Sequence, residues 1–456
     1  MIPSSTVTPK AGTQTHIRYL IIAVLFAVSC FSYADRVALS IAGPVMAKDI
    51  TLDAVRLGYL FSGFSWAYVL GQLPSGGLLD RFGSKRIYGV SILTWSISAF
   101  LIGFAGYLGP SLGFTFIFVL RLLSGLAQAP VFPGNGRIVA AWFPLVERGR
   151  ASAIFNASQY FSLTIFAPIL GWLTHISGWR VCFWSMGALG LVFVLIWFKT
   201  IYGVKEHPWI SPAEIDYIEK GGGLTSTDAA KSGKAPMNVL TWGAVKELLS
   251  HRMLVGIYLG QYCVTTLTWF FVTWFPVYLS QARHMSVMKV GFAAAVPALC
   301  GGTGGILGGL VSDRLLGAGY TVTFARKMPI IAGMLLAMIM IGSNYASAQW
   351  VVLLLMSLSF LGKGFGSLGW TVISDTSPKG MVGLNGGLFN LIGNMAGITT
   401  PIIIGYLVKS TGSFNEVLIF VGMTALAAVI FYGPVTGEIK RLEIALPAAL
   451  ESHRIA

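Results

Sequence analysis

The chain has 456 residues, of which 55% are apolar and 11% charged, and its formal net charge is +14. A soluble globular protein carries about 25% charged residues. This composition, with a mean hydropathy of +0.74, excludes a soluble enzyme, a disordered chain and a secreted disulfide scaffold. It leaves a polytopic membrane protein whose first partner is the lipid bilayer.

A crossing helix needs about 20 apolar residues. Twelve runs qualify, near 19–46, 56–80, 86–106, 112–141, 148–177, 180–201, 252–282, 287–317, 326–346, 349–376, 382–411 and 414–436. The first is too long for a signal-peptide core and contains a charged pair. The expected fold is all-α, with twelve transmembrane helices in two pseudo-symmetric six-helix bundles at 19–201 and 252–436. A cytoplasmic tail would occupy 1–18, a cytoplasmic linker 202–251 and a second tail 437–456. Within the linker, Ser211-Pro212-Ala213-Glu214 reads as an N-cap, Pro at the first helical position and Glu at the third. The short helix it starts should stop at Gly221-Gly222-Gly223. A second amphipathic piece, Trp242 to Leu249, is expected on the membrane surface, and the linker as a whole reads as a tether.

With both termini inside, 21 of the 31 basic residues fall in inside segments, 6 in outside segments and 4 within spans. This imbalance sets the orientation. It also explains the net charge, since short basic clusters between apolar runs offer no face for nucleic acid. Cys30, Cys182, Cys263 and Cys300 lie inside apolar runs without ligand spacing and read as packing residues. The six histidines sit in loops or at span ends, so no metal site or histidine relay is expected. No phosphate-loop pattern occurs, and no cofactor is called for.

The halves are related. Gly76-Gly77-Leu78-Leu79-Asp80-Arg81 closes the second run, and Gly309-Leu310-Val311-Ser312-Asp313-Arg314 closes the eighth. Phe155-Asn156 returns as Phe389-Asn390, Pro168 as Pro401 and Gly171 as Gly405, all 233 or 234 residues on. Two copies of a six-helix unit are characteristic of secondary transporters. Gly76 and Gly77 are expected to let helices approach closely. Asp80, Arg81, Asp313 and Arg314 read as a conformational latch at the cytoplasmic face, in which an acid pairs with a base or caps a helix.

The loop Gly76–Arg86 resembles the loop motif of the major facilitator superfamily. Tyr33-Ala34-Asp35-Arg36, Phe132-Pro133-Gly134-Asn135, Ala140-Ala141-Trp142-Phe143-Pro144, Thr273-Trp274-Phe275-Pro276-Val277-Tyr278-Leu279 and Ala325-Arg326-Lys327 are similar to its anion:cation symporter family. Within that family the chain most resembles the bacterial glucarate, galactarate and galactonate permeases, from about residue 16 to 443. The resemblance implies a monomeric carrier that takes up a sugar-acid anion with protons across the inner membrane, both termini being cytoplasmic. It is then a transporter and no enzyme. The alternatives are an exchanger or carrier of another organic anion, such as galactonate, and a membrane ligand sensor. A sensor needs a signalling domain, which neither tail nor linker is large enough to form.

Charge within hydrocarbon is a functional hypothesis by default. Asp35 is the deep carboxyl, about 24 Å along a helix from Tyr19. Arg36 adjoins it, and Arg121 enters span four to the same depth. A guanidinium fork binds a carboxylate in two places, so Arg36 and Arg121 are the candidate substrate anchors. Asp35 accepts only when ionised. Desolvation favours its protonated form and the adjacent arginine its ionised form, so it is the candidate proton carrier. By resemblance, Tyr33, Tyr68, Gln159, Gln261, Trp370 and Asn390 correspond to pocket positions that would serve sugar hydroxyls. Gln128 lies seven residues after Arg121 on the same helix face. The sugar-acid permeases usually have Glu there, taken to carry a second proton, and Gln cannot titrate. Fewer coupled protons, anion exchange, and a residue introduced to imitate a protonated Glu all remain open.

Overall fold

The structure, a computed structural model, describes residues 14–225, 242–378 and 381–443. The extreme tails, the middle of the linker, and the basic residues Lys10, Lys231, Lys234, Lys379 and Arg454 lie outside the described residues.

Spans one to four are Ile17–Asp49, Ala54–Phe82, Ser84–Ile102 and Pro110–Gln128, the last continued by Val131–Trp142. Spans five and six form one 53-residue helix, Arg148–Thr200, broken at Gly178, whose φ of 81° and ψ of 168° are not helical. Span seven runs Arg252–Trp269, then a π-turn at Phe270–Trp274, then Phe275–Gln281. Spans eight and nine are Val287–Gly317 and Val322–Ala337. Span ten is Gln349–Phe365 and Gly369–Thr376 around the tight turn Gly366–Leu368. Span eleven is Val382–Thr411, and span twelve is Asn415–Ile430 closed by the π-turn Phe431–Val435.

Ten of the described helical segments are individually long and apolar enough to cross a membrane. The 53-residue helix measures about 80 Å, more than twice the roughly 30 Å of hydrocarbon, so Gly178 divides it into two crossings. The 29-residue helix Ala54–Phe82 completes the twelve. The two π-turns sit beside proline, which removes a backbone donor: Pro276 follows that of span seven, and Pro434 lies in that of span twelve. Carbonyls near the second turn are satisfied by Lys327, whose Nζ donates to Gly433 O at 2.9 Å and to Gly437 O.

The linker helix forms as Pro212–Lys220, with the Ser211 side chain accepting from Glu214 N–H at 3.3 Å. It is docked rather than merely tethered. Glu214 is fully buried. Its Oε2 accepts from the Thr15 hydroxyl at 2.7 Å and from Ile17 N–H at 3.0 Å, and its Oε1 from Arg18 N–H at 3.2 Å and Arg18 Nη1 at 3.1 Å. His16, at the cap position, supplies no side-chain bond to span one. Glu214 therefore caps that helix from the linker, placing an anion at its positive end. Arg18 also holds Glu147 at 3.1 Å, which takes the Tyr217 hydroxyl at 2.7 Å. Beyond the helix, Leu224 N–H donates to Ala140 O at 3.0 Å, and Arg148 Nη2 to Gly222 O at 2.7 Å.

By packing, the chain divides into two compact units that cut across the sequence halves. The first holds Met1–Ala235, Phe270–Leu299 and Gly397–Phe414, and the second Pro236–Trp269, Cys300–Ala396 and Asn415–Ala456. Within the first unit, the ends of spans seven, eight and eleven that the basic residues assign to the outside pack on spans one, two and five. A Cβ on Gly405 would stand 2.7 Å from Ala54 O, and one on Gly171 2.9 Å from Val287 O. Gly58 meets the Pro401 backbone and Gly291 that of Ala167. These contacts are twins, since Ala54 and Gly58 return as Val287 and Gly291 at an offset of 233, and Ala167 and Gly171 as Pro401 and Gly405 at 234, the contact register pairing Pro401 with Ala167 where the sequence alone matches it to Pro168. Trp274 Nε1 donates to Pro401 O at 3.1 Å, and Lys409 reaches Asp53 at 2.9 Å. The Arg56 N–H bonded to Asp53, with help from Lys409, holds that carboxyl below the usual range.

Two outcomes are expected. Gly405→Leu sets a side chain against the Ala54 backbone, so spin-label distances between the outer ends of spans two and eleven should lengthen by several ångströms; unchanged distances would exclude the glycine seal. Glu214→Ala removes the cap of span one and one of the two carboxylates that hold the buried Arg18, leaving Glu147 as the other, and should lower the melting temperature in detergent. Asp216→Ala, on the exposed side of the same helix, should not.

Candidate functional site

Span one presents Ser32, Tyr33, Asp35 and Arg36 to span four, which returns Arg121 and Gln128. Asp35 and Arg121 are 1% and 2% exposed and Gln128 is fully buried. Arg121 Nη1 lies 3.3 Å from Asp35 Oδ2. Gln128 Nε2 donates to the same oxygen at 3.0 Å. Gln128 Oε1 accepts from Ser32 Oγ at 2.8 Å and from Arg36 Nε and Nη2 at 3.3 Å each. The amide orientation follows from its neighbours, because guanidinium groups only donate and a carboxylate only accepts. Gln128 thus spans the gap between Asp35 and Arg36.

The two arginines differ. Arg121 is ion-paired. Arg36 has no carboxylate within 4 Å among the described residues and is instead caged by aromatic faces. Its guanidinium carbon lies 4.3 Å from the Phe64 ring centre, 4.7 Å from that of Tyr33 and 5.2 Å from that of Tyr68. Phe64 also carries Arg121 at 5.3 Å and stacks on Tyr68. Aromatic faces stabilise a desolvated cation without neutralising it. The buried group therefore carries net +1 with Asp35 ionised and +2 with it protonated. Asp35 Oδ1 and Arg121 Nε are buried and lack a hydrogen-bond partner, which leaves an acceptor and a fork donor available to a ligand.

The first unit thus brings together Tyr33, Asp35, Arg36, Tyr68, Arg121 and Gln128. Gln159 stays apart: it is half-buried on span five, and its Nε2 reaches Asn156 O of its own helix at 3.4 Å. The remaining three lie in the second unit. Gln261 Nε2 donates to Thr265 Oγ1 at 3.3 Å while its Oε1 is buried without a partner. The half-exposed Trp370 packs its ring edge-on against Phe389 at 4.9 Å. Asn390 accepts from Asn394 at 2.9 Å. The Tyr432 hydroxyl, fully buried and also without a partner, stands with Gln261 Oε1 beside Gly369, 2.7 and 2.9 Å from where a Cβ would be.

At the expected latch, Asp80 pairs with Arg137 of span four. In the second unit Arg326 joins Asp313 at 3.4 Å to Asp375 at 3.0 Å and bonds Ser312 at 2.8 Å. Arg81 lies over the neighbouring Phe82 ring, and Arg314 is exposed. The expected close approach at Gly76 and Gly77 is absent: a Cβ at either would meet no atom within 4 Å. Both stand at an exposed stretch of span two, and the close contacts fall at Gly58 and Gly71 instead.

Sequence reasoning did not assign Ser32, Phe64, Tyr432, Arg137 or Arg326 to these clusters. Arg137 carried a readable signal, being a charge inside a span. Phe64 sits one helical turn before Tyr68, a spacing that shares a face.

Gln128→Glu should place two carboxyl groups about 3 Å apart between Arg36 and Arg121, close enough for their protonation to be coupled. Infrared difference spectra of that variant should show a shared-proton carboxyl band that titrates with pH. A spectrum matching the parent's would mean the new carboxyl turns away from Asp35.

The chain matches the model of the Major Facilitator Superfamily over residues 25–398. It is 55% identical over 438 residues to a probable galactarate/D-glucarate transporter of Bacillus subtilis (strain 168), covering 96% of each chain. It is 54% identical over 432 residues to one of Escherichia coli (strain K12), covering 94% of this chain and 96% of that one. A D-galactonate transporter of Escherichia coli O6:H1 is 37% identical over 427 residues, covering 93% and 97%. Among solved structures, the inward open xylose transporter from E. coli superposes with a TM-score of 0.69 at 16% identity, over 92% of this chain and 97% of that one. That likeness shows the fold alone.

Proposed function

We propose that this chain, which belongs to the major facilitator superfamily and is therefore a multi-pass membrane transporter and no enzyme, imports a hexarate such as galactarate or glucarate together with protons. The observation that carries the reading is Arg36, a buried, aromatic-caged cation without a carboxylate partner among the described residues, beside the Asp35–Arg121 pair. The names of the relatives support the substrate class. A sugar-acid carboxylate fits the two guanidinium forks, and charge-assisted bidentate bonds are the strong ones.

The cycle follows from the charges. With Asp35 ionised, Arg121 is engaged and one net positive charge faces the ligand. A proton on Asp35 cancels its charge, releases Arg121 and leaves two forks for the anion. Proton and anion therefore favour one another's binding, a reciprocity that linkage requires. Loss of the proton on the inside restores the Asp35–Arg121 pair and displaces the anion. Rocking of two six-helix bundles about this site supplies alternating access. The latch acids Asp80 and Asp313 hold one conformation through Arg137 and Arg326. The same proposal places the carrier in a bacterial inner membrane as a monomer, both termini cytoplasmic. The surplus of basic residues in the segments between spans supports that orientation.

A second reading, anion exchange, is favoured by Gln128. Its amide already donates to Asp35 Oδ2, which steadies the ionised acid, and it carries no titratable proton of its own.

Uptake of labelled galactarate and glucarate into proteoliposomes under imposed pH gradients separates the readings. Asp35→Asn should abolish uphill accumulation yet bind the acid, because Asn resembles the protonated side chain. Arg121→Lys should weaken binding at least tenfold, since a charged hydrogen bond is worth about 1.5–3 kcal/mol. Proton-driven accumulation by Asp35→Asn would end the symport reading. A parent that exchanges substrate but never accumulates it would establish exchange.

A further inference from the structure

One intramembrane charge has no part in that cycle. Lys363 lies 14 residues into span ten, about 21 Å along the helix, and is 7% exposed. Trp350 and Leu354, 70% and 48% exposed, mark the outer side of the span, which half-buried Leu358 and Leu361 continue. Lys363 follows Leu361 by two residues, about 200° around the helix, and so faces inward. Ser367, Trp370 and Ser374 are exposed further along the inward side.

The internal repeat says what that side faces. In the first unit Gly71 packs on Leu126 and Ala129 of span four. Its repeat partner Gly304, 233 residues on, packs on Leu361 of span ten, and Gly364 packs on Gly301, Gly304 and Gly305. Leu361 and Gly364 thus stand where Leu126 and Ala129 stand. Lys363 occupies the place of Gln128, the residue that faces Asp35 and Arg36 in the first copy. About two turns along span ten is Gly369, beside the buried, unpartnered Gln261 Oε1 and Tyr432 hydroxyl. A polyhydroxylated chain supplies the partners that such groups lack.

We propose that Lys363 is a carboxylate anchor of the second repeat. It takes one carboxylate of a dicarboxylic sugar acid and makes the carrier prefer diacids to monoacids. This deepens the sugar-acid reading and rests on it. An ammonium is a compact point charge with three donors. In a desolvated setting it discriminates a carboxylate from the hydroxymethyl group that ends the chain of a monoacid.

The test is calorimetric binding of glucarate and galactonate, two six-carbon acids with two carboxylates and one, to the purified full chain. The parent should bind glucarate more tightly. Lys363→Met should lose at least tenfold in glucarate affinity and less than twofold for galactonate, and Lys363→Arg should keep the preference. Retained galactonate binding shows that the variant is folded. Should Lys363→Met fail to yield monodisperse protein, Lys363→Gln removes the charge while keeping a polar side chain and gives the same comparison. Equal losses for both acids, or none for either, would overturn the anchor while leaving the sugar-acid reading intact. A parent that binds neither acid overturns both.

Discussion

The contact on which the rest depends is a carboxylate and two guanidinium groups buried where water is scarce. Isolated charges in hydrocarbon cost several kcal/mol each, so each must be held by something. Asp35 is held by Arg121 and Gln128, and Arg36 by the Gln128 carbonyl and three aromatic faces. The arrangement commits spans one, two and four to each other, since Phe64 and Tyr68 come from span two. It also leaves an imbalance of one positive charge, and an imbalance of that sign is what an anion carrier needs. A fully neutralised pair would be a packing device. A cation without a carboxylate partner among the described residues, beside a buried acid, is what the proposed coupling of anion and proton rests on.

Duplication shapes everything around that contact. A chain built twice from one six-helix unit inherits each packing solution twice, and the glycine contacts of Gly58 with Pro401 and of Gly171 with Val287 show it. Glycine is required there because backbone meets backbone, which any Cβ would prevent. The copies then part company where chemistry is concerned. Gln128 and Lys363 occupy equivalent places with different charge, and Asp35 has no acidic twin in span seven.

The linker illustrates how a surface segment acquires a structural duty. Glu214 is a helix-start residue in its own short helix and at the same time the N-terminal cap of span one. One carboxylate satisfies two backbone donors, a hydroxyl and a guanidinium, so the start of the first crossing is fixed by a residue almost 200 positions away. Fixing that start helps set the height of Asp35 and Arg36 in the membrane, because both ride on the same helix.

The sequence by itself determined the crossings, the internal repeat and the identity of the deep charges. These depend on local hydropathy and on the solvation cost of charge, which each segment carries within itself. It also determined the linker cap at Ser211, which is a matter of adjacent residues. Only the tertiary structure decided which groups meet. That Gln128 bridges Asp35 and Arg36, that Phe64 underlies both arginines, that Arg137 reaches Asp80, and that Gly76 touches nothing while Gly58 and Gly405 are in contact are facts about spans brought side by side. Pattern fixes the face of a helix but not the rotation and height at which a neighbour meets it. A shift of one residue turns a side chain by about 100°, enough to exchange a partner for lipid.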